Sequence, residues 1–112
     1  MWDYAVELAL SLSRPAMVFL IFIAVTIMVL AAAVFHWIEG ASLNPKITGF
    51  FDSLYFTVTT MSGVGYGDVV PVTVAGKIVS MIMMVAGTAI FASFTAVIAT
   101  SIIEIEAARK KQ

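Results

Sequence analysis

Cysteine is absent from this 112-residue chain, and histidine occurs once. The first absence excludes disulfides and thiol catalysis and leaves the redox compartment unread. The second excludes a multi-histidine metal site within one subunit. Charge is scarce too: 12% of residues are Asp, Glu, Lys or Arg, against about 25% in soluble domains. Six basic and seven acidic residues nearly balance, so nothing points to nucleic acid. The single histidine, His36, stands beside Trp37 and reads as an interface residue rather than a base or ligand. No Ser/His/Asp set or paired carboxylates accompany it, which argues against an enzyme. No internal repeat or low-complexity tract is visible.

What the chain does have is apolar surface: 62% of its residues are hydrophobic. Two runs carry no charge, Pro15 to Phe35 and Ile78 to Ile103. Each exceeds the roughly 20 residues that cross a hydrocarbon core of about 30 Å. Backbone in lipid must satisfy its own hydrogen bonds, so both runs are expected to be transmembrane helices. The first is too long for a signal-peptide core and lacks a small-residue cleavage site. Arg14 precedes the first run, and Arg109, Lys110 and Lys111 follow the second. That basic excess predicts a multi-pass protein of the cell membrane with both termini cytoplasmic and the central segment outside.

The stretch WDYAVELALSLSR is of mixed polarity, and Trp2, Ala5, Val6, Ala9, Leu10 and Leu12 can share much of one face. It reads as an interfacial helix over residues 1–14, with Trp2 and Tyr4 at headgroup level. A frayed terminus is the plainer alternative. Between the runs, Glu39 to Lys46 reads as an exposed loop broken by Gly40, Asn44 and Pro45. FFDSLYFTVTTMS, residues 50–62, is too short to span, and Asp52 or Ser53 can cap a helix there. Its Tyr, Phe, Thr and Val residues also suit a strand. A lone strand is not viable in lipid, so a short re-entrant helix is expected.

After it comes SGVGYGDVVP, with Gly63, Gly65 and Gly67 at alternate positions. Each glycine costs roughly 0.5–1 kcal/mol relative to alanine. Irregular backbone at membrane depth is tolerated where protein buries it or where it lines water. If alternate residues take left-handed values, successive carbonyls can point the same way, and glycine takes those values at low cost. Val64 and Tyr66 then turn their side chains away. One strand cannot enclose an ion, but several copies around an axis can.

VGYGD, preceded by a short Thr-rich helix and flanked by two membrane helices, resembles the pore module of tetrameric potassium channels, and PVTVAGKIVSMIMMVAG resembles the start of the inner helix in bacterial two-helix channels. The resemblance spans residues 15–105. It implies an all-α membrane protein assembled as a fourfold homotetramer in the lipid bilayer. Its parts would be an outer helix (15–38), a pore helix (51–62), a selectivity filter (63–68), an inner helix (75–106) and a cytoplasmic tail (107–112). It implies passive K+ conduction, with K+ ions bound by the carbonyls of Gly63, Val64, Gly65 and Tyr66 in a filter that Gly67 completes, and no cofactor besides those ions. By the same resemblance Tyr55, Phe56 and Tyr66 form an aromatic cuff behind the filter, with Thr59 at their back, and Asp68 sits at the outer mouth close to Tyr55. Ser62, Thr88, Phe91 and Thr95 fall at cavity and gate positions, and Gly87 where the family often hinges its inner helix.

Each assignment has a plainer counterpart. Asp68 can be a solvated loop acid, Gly87 a small residue for helix packing, and the threonines donors to their own i−4 carbonyls. Two departures stand out. Gly63 occupies the place of the family's usual Thr, so a ring of hydroxyls is missing from the innermost ion site. Thr59 stands where some bacterial members carry a Glu paired with the outer Asp. A weakly selective cation channel and a non-conducting helix-packing module remain alternatives. A transporter would show more spans and an inverted repeat. Neither an Arg-rich voltage-sensing helix nor a soluble ligand domain is visible. The chain reads as a complete two-helix channel or as the pore of a larger one.

Overall fold

The structure is a computed structural model that describes residues 2–12, 14–40 and 43–111, without the side chains of Tyr4, Leu8, Ser11 and Leu12. The headgroup role expected for Tyr4 and the place of Leu12 on the apolar face therefore lie outside the described residues, as do positions 1, 13, 41, 42 and 112 of the expected segments. Four helices follow in order: α1 (Trp2–Leu12), α2 (Pro15–Gly40), α3 (Phe50–Ser62) and α4 (Val74–Lys110), with no strand among the described residues.

α2 begins at a proline, whose missing N–H costs nothing in the first turn. At about 1.5 Å per residue its 26 residues reach about 39 Å, enough to cross a bilayer. α4, with 37 residues, is longer still. Thr73 starts it by accepting a hydrogen bond from the Gly76 N–H at 2.9 Å. Arg109 and Lys110 close it, favourably placed against the helix dipole. Both long helices overrun the expected limits. α2 continues past residue 38 to Gly40, and α4 absorbs most of the expected tail, because Ala107 and Ala108 are strong helix formers and the basic end suits a helix terminus.

α3 departs from expectation at its start. Its N-cap is Gly49, not Asp52 or Ser53. The Asp52 carboxylate reaches back to accept from the Thr48 N–H (2.9 Å) and hydroxyl (2.7 Å), which sets the first turn upstream. Ser53 is fully buried and shares a 2.9 Å hydrogen bond with His36 Nδ1 on α2. His36 thus joins α2 to α3, its ring edge-on to Phe50, rather than facing only the membrane interface.

The core lies where α2, α3 and α4 meet. Phe35 stacks on Phe56 with ring centroids 4.3 Å apart, and Ile47, Met61 and Met83 close around them. At the other end α1 lies against α4, where Arg14 and Glu104 pair at 3.0 Å. Both of those side chains are about half exposed, so the pair contributes about 0–1 kcal/mol. Much of the remaining surface of α2 and α4 is bare apolar side chain, including Phe22 at 68% and Val85 at 73% exposure. Patches of that kind call for lipid or other protein.

Candidate functional site

The loop between α3 and α4 carries the chemistry. Gly63, Gly65 and Gly67 have φ of +85°, +55° and +80°, while Val64 and Tyr66 between them do not enter the left-handed region. The backbone therefore alternates in hand, as the glycine spacing requires. A Cβ built at any of the three meets nothing of the same chain within 4 Å, so within the chain glycine is needed for its conformation. Gly63 is also the left-handed C-cap of α3.

The loop hangs from the last turn of α3. Gly63 N–H donates to the Thr60 carbonyl (3.3 Å), and Gly65 N–H to the Thr59 carbonyl (2.9 Å). The Ser62 hydroxyl donates to that same Thr59 carbonyl at 3.2 Å and accepts from Val64 N–H at 3.4 Å. Carbonyls that end a helix carry partial negative charge, which favours a cation nearby.

Behind the loop, the rings of Tyr55 and Tyr66 lie parallel with centroids 6.5 Å apart. The Tyr55 hydroxyl donates to Asp68 at 2.8 Å, so Asp68 has a partner and is more than a solvated loop acid. That donation, together with desolvation and the nearby negative charge, holds the Tyr55 phenol above its ordinary pKa. At the start of α3, hydrogen bonds from the Thr48 side chain, then its backbone, hold the Asp52 carboxyl below its ordinary value. Phe56 does not join the tyrosines: its ring stacks on Phe35 and is 5% exposed, because the position after Tyr55 turns toward α2. The Thr59 hydroxyl donates to the Phe56 carbonyl at 2.9 Å and faces no carboxylate. A cavity of about 430 Å³ adjoins the loop, walled by Phe56, Thr59, Gly65, Val69, Met81 and Met84.

On α4, Thr88 and Thr95 donate to the Met84 and Phe91 carbonyls at 2.8 and 2.9 Å, the self-bonded state open to a membrane threonine. Both threonines and Phe91 are exposed in the single chain. Gly87 is buried against the backbone of Met61.

Sequence reasoning missed the far anchor. Glu39, at the end of α2, is fully buried. Its carboxylate accepts from Asn44 Nδ2 (2.8 Å), Val72 N–H (2.8 Å), Thr73 N–H (3.0 Å) and the Thr73 hydroxyl. Asn44 also donates to the Val70 carbonyl at 2.9 Å. Gly76 packs beneath, where an added Cβ would come within 2.7 Å of the Glu39 carboxyl carbon. The glycine loop is thus held at one end by α3 and at the other by a carboxylate of α2. A lone acid at the end of an apolar helix was the available signal.

Comparison with known proteins fits this architecture. A family model described as "Ion channel" matches residues 23–104. A calcium-gated potassium channel, TvoK, of Thermoplasma volcanium is 33% identical over 91 residues, covering 80% of this chain and 26% of that protein. A hyperpolarization-activated voltage-gated potassium channel of Methanocaldococcus jannaschii is 49% identical over 43 residues, or 38% of this chain and 21% of the relative. The chain therefore spans about a quarter or less of these relatives. A crystal structure of a voltage-gated K+ channel pore module, in a closed state in lipid membranes, superposes with a TM-score of 0.59 at 29% identity, covering 83% of this chain and 92% of that one. The chain belongs to this ion-channel family. Its architecture is that of a two-helix potassium-channel pore, a membrane protein with two apolar helices around a short third.

Proposed function

We propose that the chain forms a potassium-conducting pore as a fourfold homotetramer in the cell membrane, both termini cytoplasmic, with the Gly63, Val64, Gly65 and Tyr66 carbonyls around the axis. The observation that carries this reading is the alternation of left-handed glycines in a loop fixed at both ends. A rigid loop whose oxygens replace an ion's water shell conducts without chemistry, so no cofactor beyond K+ is needed. The potassium channels among the relatives and the pore-module neighbour support the choice of ion. The bare apolar faces and the cavity beside the loop support cover by further copies and lipid. Ser62, Thr88, Phe91 and Thr95 would then face the water-filled cavity below the filter.

One observation favours a less selective pore. Gly63 brings no hydroxyl to the innermost site and adds a further left-handed residue at the foot of the loop. The innermost site should be weak and the upper ones intact. Reconstitution in liposomes with a potassium flux assay tests the reading. Potassium uptake into vesicles carrying the tetramer is the expected result. An intact tetramer without flux would favour a helix-packing module, and equal sodium flux a weakly selective cation channel.

A further inference from the structure

Gly87 lies inside α4 with ordinary helical backbone, so its φ does not call for glycine. A glycine there costs about 1 kcal/mol in helix propensity. What calls for it is contact. A Cβ at Gly87 would stand 2.5 Å from the Met61 Cα and 2.7 Å from the Met61 carbonyl carbon, both backbone atoms with no rotamer to yield. Met61 is 2% exposed and fixed among Phe35, Phe56 and Met83. It sits in the last turn of α3, between the Thr59 and Thr60 carbonyls that hold Gly65 and Gly63 and the glycine loop itself. Any residue larger than glycine at 87 must push that turn, and the turn carries the inner end of the loop.

We propose that Gly87 is a positioning residue for ion selectivity: its missing side chain seats α4 on the Met61 backbone and so sets where the Gly63 and Gly65 backbone lies. This assigns to the position a role at the filter, where the family resemblance implies a hinge. The proposal rests on residues 63–67 acting as a potassium filter.

The test separates contact from flexibility. Gly87→Ala, Ala89→Gly and the double variant Gly87→Ala/Ala89→Gly are reconstituted beside the parent chain. The K+:Na+ permeability ratio is read from bi-ionic reversal potentials and the open probability from single-channel records. Ala89 is exposed on α4, and glycine there restores flexibility without restoring the contact. The expected result is a permeability ratio lowered by about tenfold or more in Gly87→Ala and in the double variant, and unchanged in Ala89→Gly. Loss of the tetramer in Gly87→Ala, with Ala89→Gly still assembling, would show that the contact serves folding and would overturn a role in selectivity. Recovery of the ratio in the double variant, or a change of open probability alone in Gly87→Ala, overturns the proposal. So does an equal fall in Ala89→Gly. A parent chain that does not prefer potassium overturns the filter reading instead.

Discussion

Tyr55 donates its phenolic hydrogen to Asp68 across 2.8 Å, while its ring lies parallel to that of Tyr66. This one residue of the short helix therefore meets the loop at two places, beside Tyr66 and at Asp68. Because the neutral phenol is the donor, the folded state raises the Tyr55 pKa. The contribution to stability is full below the ordinary tyrosine value of about 10 and is lost as pH rises through the higher folded value. Thermal melting measured from pH 8 to 12 should show a steeper alkaline decline in the parent than in Tyr55→Phe. Parallel curves would show that the bond contributes nothing.

Asp52 gives the opposite sign. Its carboxylate accepts two hydrogen bonds from Thr48, which lower its pKa in the folded state. The stabilisation is present above the ordinary value of about 3.9 and is lost as pH falls through the lower folded value. Asp52→Asn should flatten the acid limb of the melting curve while leaving neutral-pH potassium flux unchanged. An acid limb identical in both proteins would contradict this.

Glu39 bears the larger load. Glu39→Ala would leave the half-buried Val72 and Thr73 N–H groups and the Thr73 hydroxyl without their acceptor, and the Asn44 amide with the Val70 carbonyl alone. An unsatisfied donor costs about 1–3 kcal/mol where water cannot replace the acceptor, and these are half-buried, so a loss of about 1–3 kcal/mol per chain is expected. Conduction should also run down faster, because the far end of the glycine loop is released. Thermal unfolding and sustained-current decay read the two effects, and a variant equal to the parent in both would remove Glu39 from the account.

Gly65→Ala and Gly67→Ala should each abolish potassium conduction. No atom of the same chain obstructs a Cβ at either site, so the penalty within the chain is conformational, about 1–2 kcal/mol per residue. Normal single-channel current from either variant would refute the alternating-backbone reading.

How far the sequence reached follows from which interactions are local. The long helices were legible in their uncharged runs, and the loop in its glycine spacing, because membrane length and left-handed φ act on single residues and their immediate neighbours. The Tyr55–Asp68 pairing came with the family resemblance. Contacts between distant segments were not legible. Glu39 reads as a loop acid until α2 brings it to Thr73, 34 positions on. Phe56 reads as a twin of Tyr55 until Phe35 claims its ring. The contact of Gly87 with the Met61 backbone was not legible either. The start of α3 was misplaced because Asp52 caps backward to Thr48 rather than forward.

The central claim is that residues 63–67 form a potassium filter complete enough to select without the threonine that the family usually places at 63. The reversal potential of the reconstituted parent chain, with potassium on one side and sodium on the other, tests it directly. The account predicts reversal well toward the potassium equilibrium potential, with the current lost in Gly65→Ala. Reversal at zero with the tetramer intact, or a current unaffected by Gly65→Ala, would contradict it.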